Sequence, residues 1–182
     1  RSVRQVHLAG RRRKDLKTVA IVGYTNAGKT TLLNTLTHRR EYTADELFAT
    51  LDTRVGTLYL PSIARSILVS DTIGFVKQLP TELLNAFEST LSEAIDADLL
   101  FHVVDAADPH WSQHVRVVEE ILGRLGVSDK PRVVLMNKSD ILTEEQRHKV
   151  EQEARYLDTL WISAATGKGI DQLIERIASR LK

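Results

Sequence analysis

Gly23-Tyr24-Thr25-Asn26-Ala27-Gly28-Lys29-Thr30 decides the fold. The octet satisfies G-x-x-x-x-G-K-[ST]. It follows an apolar run, Thr18 to Gly23 (TVAIVG), that reads as a buried strand, and it precedes Thr30 to Thr37, which reads as a helix. Strand, glycine loop and helix in succession make this pattern a phosphate-binding loop rather than a chance glycine turn. The chemistry needs these residue types. Glycines let backbone N–H groups wrap phosphate oxygens, and the helix N-terminus adds positive potential. Lys29 sets a point charge beside the β- and γ-phosphates, and the Thr30 hydroxyl is a magnesium ligand. The expected contacts are Gly23, Tyr24, Thr25, Asn26, Ala27, Gly28, Lys29, Thr30 and Thr31.

Three further segments fall downstream in an order that makes each more specific than it is alone. Asp71-Thr72-Ile73-Gly74 follows a predicted strand. Asp71 there holds magnesium through water, and the Gly74 N–H bonds a γ-phosphate and senses its loss. Asn137-Lys138-Ser139-Asp140 sits at another strand end. The Asp140 carboxylate accepts from both N1–H and N2–H₂ of guanine, whereas adenine would leave it unpaired. The stem of Lys138 can lie over the base, and Asn137 can tie this loop to the P-loop. In Ser163-Ala164-Ala165, a small loop lets a backbone N–H, that of Ala164, approach guanine O6. Between the first two motifs lies Phe48-Ala49-Thr50-Leu51-Asp52-Thr53 in a long polar loop. A nucleotide switch needs a threonine there to complete the magnesium shell and touch the γ-phosphate. Thr50 and Thr53 both qualify by position.

Around these motifs, strands alternate with helices. Arg54 to Leu60 and Arg65 to Ser70 read as a hairpin turning at Pro61-Ser62, and Thr81 to Ile95 has helical spacing. Leu99 to Val104 is an apolar strand. Asp108-Pro109 is an N-cap and first-turn pair for a helix that Gly126 stops. Arg132 to Met136 and Leu160 to Ile162 are strands, Thr143 and Gln146 form a capping box, and Ile170, Leu173, Ile177 and Leu181 share one helical face. The expected fold is α/β: a mostly parallel six-stranded sheet with helices on both faces and ligand loops at the strand C-termini.

The bulk numbers exclude more than they propose. With 182 residues the chain is about one domain. Lys and Arg total 25 against 24 Asp and Glu, so net charge names no partner. Basic residues do crowd residues 1–17, where Asp15 is the sole acid; a solvated linker is the plainer reading of that run, and phosphate contact the alternative. There is no cysteine, which removes disulfides, thiolate metal sites and a thiol nucleophile. No stretch matches a membrane span or signal peptide, so a cytosolic protein is expected, as a monomer. His110 and His114 lack a visible third metal ligand and read as a solvated helix face. His102 reads as a hydrogen-bonded core histidine, Trp111 and Trp161 as packing residues, and Glu119 and Glu120 as ordinary helix surface.

The ordered set is that of Ras-like P-loop G domains. GYTNAGKTTL from Gly23, ADELFATLD from Ala44, DTIGFVKQLP from Asp71 and ADLLFHVVDAADP from Ala97 narrow it: the chain resembles the HflX family over about residues 11–182. The resemblance implies a GTP- and GDP-binding G domain over residues 18–182 that uses Mg²⁺ and hydrolyses GTP. It implies association with the large ribosomal subunit, in a family whose bacterial members split stalled ribosomes. It also implies that residues 1–17 are a basic linker leaving an N-terminal domain, and that Thr50 is the switch threonine and magnesium ligand. One departure is Thr53-Arg54, where many members have proline and threonine; it touches the exit of the switch loop. Phe75 stands where Ras-type enzymes carry the water-orienting glutamine, so slow intrinsic hydrolysis is expected. Catalysis would then rest on Lys29, Thr50, Gly74 and Asn26. In related GTPases an asparagine at the place of Asn26 helps hold K⁺; the alternative, that it merely hydrogen-bonds its loop, stands level with this one.

A P-loop ATPase or small-molecule kinase is opposed by the Asp140 loop. A nucleotide-gated binding module with negligible turnover is favoured by Phe75. An RNA-modification or ribosome-assembly GTPase is opposed by the LFATLD and DTIGF segments.

Overall fold

Thr18–Gly23 forms the central strand β1 of a computed structural model that describes residues 16–37, 54–72, 74 and 94–182. The P-loop leads from it into α1, Lys29–Thr37. Strands β2 (Arg54–Leu60) and β3 (Arg65–Asp71) form the expected hairpin, turned by a short 3-10 segment at Pro61–Ile63 with Ala64 left-handed. Then come β4 (Leu99–Asp105), α2 (Trp111–Arg124), β5 (Arg132–Asn137), α3 (Glu144–Glu153), β6 (Thr159–Trp161) and α4 (Ile170–Arg180). The sheet order is β2-β3-β1-β4-β5-β6, with only the β2–β3 pair antiparallel.

Alternation along each strand assigns its two faces. Val19 and Ile21 of β1, Phe101 and Val103 of β4, and Val133 and Leu135 of β5 pack with Leu32, Leu33 and Leu36 of α1 and with Leu173 and Ile177 of α4. The intervening Ala20, Val22 and Leu100 meet Val118, Ile121 and Leu122 of α2, and Val134 and Met136 share a third cluster with Trp111 and Val150. Helices therefore cover both faces, as the alternating pattern predicts. Parallel strands all point their C-termini to one edge, and this gathers the P-loop, Asp71, Asp105, Asn137 and the Ser163 loop there.

Three elements start elsewhere than expected: α1 begins at Lys29, one residue before Thr30, and α2 and β6 also differ. Asp108 does not cap α2, which begins at Trp111 with His110 as its N-cap. The Asp108 carboxylate instead accepts from the His110 N–H at 2.8 Å, closing a turn ahead of the helix. Strand β6 spans Thr159–Trp161, one residue earlier than predicted, because Val134 N–H bonds the Asp158 carbonyl and Trp161 pairs with Met136, leaving Ile162 to start the next loop. The predicted helix over Thr81 to Ile95 lies almost wholly outside the described residues; Ala94 to Asp96 are helical.

Candidate functional site: a phosphate-binding edge

The P-loop closes over its own backbone. Asn26 has φ of 61° and Gly28 of 99°, both in the left-handed region that turns successive N–H groups inward. Gly28 is required on a second count, since a Cβ there would collide with the Asn137 side-chain amide. Lys29 is buried, and its Nζ donates to the Tyr24 carbonyl at 3.4 Å. Burial pushes its ammonium below the usual lysine range, while the Asp71 carboxylate opposes that shift. A buried, partly desolvated cation is suited to an anion that replaces its lost hydration.

Thr30 and Asp71 meet, as their motifs require: Thr30 Oγ1 donates to Asp71 Oδ2 at 2.8 Å. Asp71 is fully buried, and Thr72 beside it is fixed by its own hydroxyl to the Ile21 carbonyl at 2.8 Å. A hydroxyl and a carboxylate oxygen at a helix N-terminus are the hard donors that suit Mg²⁺. Gly74 lies against the same point. A Cβ there would stand 2.9 Å from Thr25 Cγ2 and 3.1 Å from Lys29 Nζ, so only glycine brings its backbone this close to the lysine.

Asn137 joins the base loop to the P-loop. Its Nδ2 donates to the Ala27 carbonyl at 2.8 Å, as anticipated. Its Oδ1 accepts at 2.9 Å from the Ala164 N–H, the amide expected to read guanine O6, so one side chain spans both loops. Lys138, left-handed at φ 62°, sends its Nζ to the Asn26 carbonyl at 2.9 Å and to Asp105 Oδ2 at 2.7 Å, so its stem runs along the rim toward the P-loop. Ser139 and Ser163 are buried, whereas Asp140 and Ala165 are exposed. Thr31 lies on α1 a turn before Thr35, whose hydroxyl donates to the Ala164 carbonyl at 2.7 Å. Phe48, Ala49, Thr50, Leu51, Asp52, Ile73 and Phe75 lie outside the described residues.

Sequence reasoning missed Asp105 and Thr35. Their signals were an aspartate ending a strand and a threonine inside a helix, both common in other settings. Glu119 is not ordinary surface: its Oε1 lies 3.6 Å from Nδ1 of buried His102, and its other oxygen pairs with Arg132. Burial pushes His102 below the usual histidine range against the pull of Glu119. Contact with His102 and the Arg132 guanidinium holds the Glu119 carboxyl low. His114 is not merely solvated, since its ring stacks on Tyr24. Among the described residues no group of three or more His, Cys, Asp and Glu side chains forms a metal site, and no helix is long and apolar enough to cross a membrane.

Residues 18–138 match the family model described as 50S ribosome-binding GTPase. The chain is 43% identical over 171 residues to the GTPase HflX of Caldanaerobacter subterraneus subsp. tengcongensis, covering 94% of this chain and 38% of that protein. It is 40% identical over 167 residues to the GTPase HflX of Escherichia coli K12, covering 92% and 39% respectively. The chain thus spans about two fifths of the length of these relatives. A GTP-binding protein from Sulfolobus solfataricus, solved in complex with GDP, superposes with a TM-score of 0.71 at 28% identity, over 98% of this chain and 56% of that one. Aquifex aeolicus Era bound to GDP·AlF₄⁻ shares the fold, with a TM-score of 0.74 at 24% identity over 91% of this chain and 56% of its own.

Proposed function

The chain belongs to the 50S ribosome-binding GTPase family, as a GTPase domain of the HflX kind, and on that premise we propose that it binds GTP and GDP and hydrolyses GTP to GDP and phosphate. The observation that carries this reading is the convergence of Lys29, Thr30, Asp71 and Gly74 beneath the P-loop, with Asn137 holding the base loop against it.

P-loop amides and Lys29 bind the β- and γ-phosphates and meet the charge that builds on the bridging oxygen. Gly74 presents a backbone N–H to the γ-phosphate, and Asp140 reads guanine. Thr30 directly, Asp71 through water and Thr50 would hold Mg²⁺, which when bound neutralises phosphate charge. Phe75 has no group to orient water, so the unaided rate is low. Asn26, exposed on the loop, offers an amide oxygen to K⁺. Residues 18–182 act as the G domain, in the cytosol, on the large ribosomal subunit.

Phosphate release against ribosome concentration, in potassium and in sodium at equal ionic strength, tests all of this. Release should rise with ribosomes, run faster in potassium, and lose that difference in Asn26→Ala. No release at any ribosome concentration would leave a nucleotide-gated binding module, the reading that Phe75 favours. Equal rates in the two salts would return Asn26 to a structural role.

A further inference from the structure

We propose that Asp108 and His114 are positioning residues for the P-loop, acting through the ring of Tyr24; this rests on the site being a nucleotide site. The His114 imidazole lies flat on the Tyr24 ring, with centroids 3.8 Å apart and planes 4° from parallel. Its Nδ1 is 3.5 Å from Asp108 Oδ2, and the other carboxylate oxygen takes the His110 N–H. Asp108 is itself held, since its N–H donates to the Asp105 carbonyl at 3.2 Å. Asp105 is the residue that grips Lys138, whose Nζ reaches the Asn26 carbonyl. One turn, residues 105–108, therefore carries two handles on the P-loop. Each is an acid that orients a base, and each base touches the loop, at the Tyr24 ring and at the Asn26 carbonyl.

The handles matter because the loop has room behind it. Tyr24, Asn26, His102, Asp105, Asp108 and His114 line a cleft of about 210 Å³. His114, which stacks on Tyr24, and Asp105, which takes Lys138, both line that space, where close packing would otherwise hold the loop. A loop carrying a left-handed Asn26 keeps its amides aimed at phosphate only if its outer side is held. Loss of the stack should therefore speed nucleotide release more than it disturbs the fold, since His114 is 24% exposed on a helix surface.

The test is the dissociation rate of fluorescent GDP from the 182-residue chain, with a double-mutant cycle between Tyr24 and His114. His114→Ala and Tyr24→Leu should each accelerate release about 3- to 10-fold, the scale of one aromatic pair. The double variant should release no faster than the quicker single one. His114→Phe keeps a ring but loses the Asp108 contact, so it should rescue most of the rate and, like Asp108→Asn, fall between wild type and His114→Ala. Ring protons of Tyr24 should lose a ring-current shift in His114→Ala and keep one in His114→Phe, a reading independent of nucleotide. Additive single effects, or no rescue by phenylalanine with the melting temperature unchanged, would overturn the brace alone. A wild-type chain that binds no guanine nucleotide would overturn the reading of the site, and the brace with it.

Discussion

Asp140, exposed in the structure, is the residue we propose for base choice. In Asp140→Asn the amide cannot accept from both guanine donors, but it can donate to the extra carbonyl of xanthine. GTP affinity should drop by at least about tenfold, with preference moving toward xanthosine nucleotides. Competition titration with GTP and XTP measures both, and unchanged GTP affinity would remove Asp140 from base reading. Asn137 works differently. Its amide uses both ends, on Ala27 and Ala164, so it is a strut between loops.

At the level of elements, α3 shows how a helix with little core survives. Val150 is its one buried residue, so packing contributes little and the ends must contribute more. Thr143 accepts from the Gln146 N–H at 3.2 Å, and the Gln146 side chain accepts from the Thr143 N–H at 3.0 Å. Thr143→Ala removes the acceptor of the Gln146 N–H, leaves that donor orphaned, and should cost about 1 kcal/mol, or about 2–4 °C in melting temperature. GDP affinity should not move, because the Thr143 cap lies at the end of α3 and makes no hydrogen bond to the P-loop or to Asn137 among the described residues. Calorimetry alongside a binding isotherm separates the two effects. Helix α2 meets a different constraint: its predicted cap, Asp108, serves the preceding turn and the rings of His110 and His114 instead.

Across the whole molecule, His102, Glu119 and Arg132 link β4, α2 and β5. The unfolded chain takes up a proton at a histidine near about pH 6.5, whereas buried His102 takes one only at lower pH. Below that pH the unfolded state binds more protons, so stability falls as the solution is acidified. Glu119, held low in the fold, adds a second loss as pH drops below the ordinary carboxylate value of about 4.3. Denaturant unfolding between pH 7.5 and 5 should therefore show declining stability. His102→Leu should flatten that decline relative to wild type; an equal slope in both would place the acid sensitivity elsewhere.

What the sequence by itself determined is what neighbouring residues encode. A strand's alternation, a glycine loop between strand and helix, the Thr143 capping box and the order of four motifs are all local patterns. That is why β1 and the hairpin appeared where they were read, and why Lys29, Thr30, Asp71 and Asn137 were marked as one site. Only the tertiary structure decided which distant groups would meet. Asn137 takes the Ala164 amide, Lys138 takes Asp105, Tyr24 stacks on His114, and half-exposed Glu119 reaches His102 and Arg132. These contacts depend on which strands are neighbours in the sheet and on where α2 starts. Both are set by packing the two faces of one sheet, and no window along the chain contains that information.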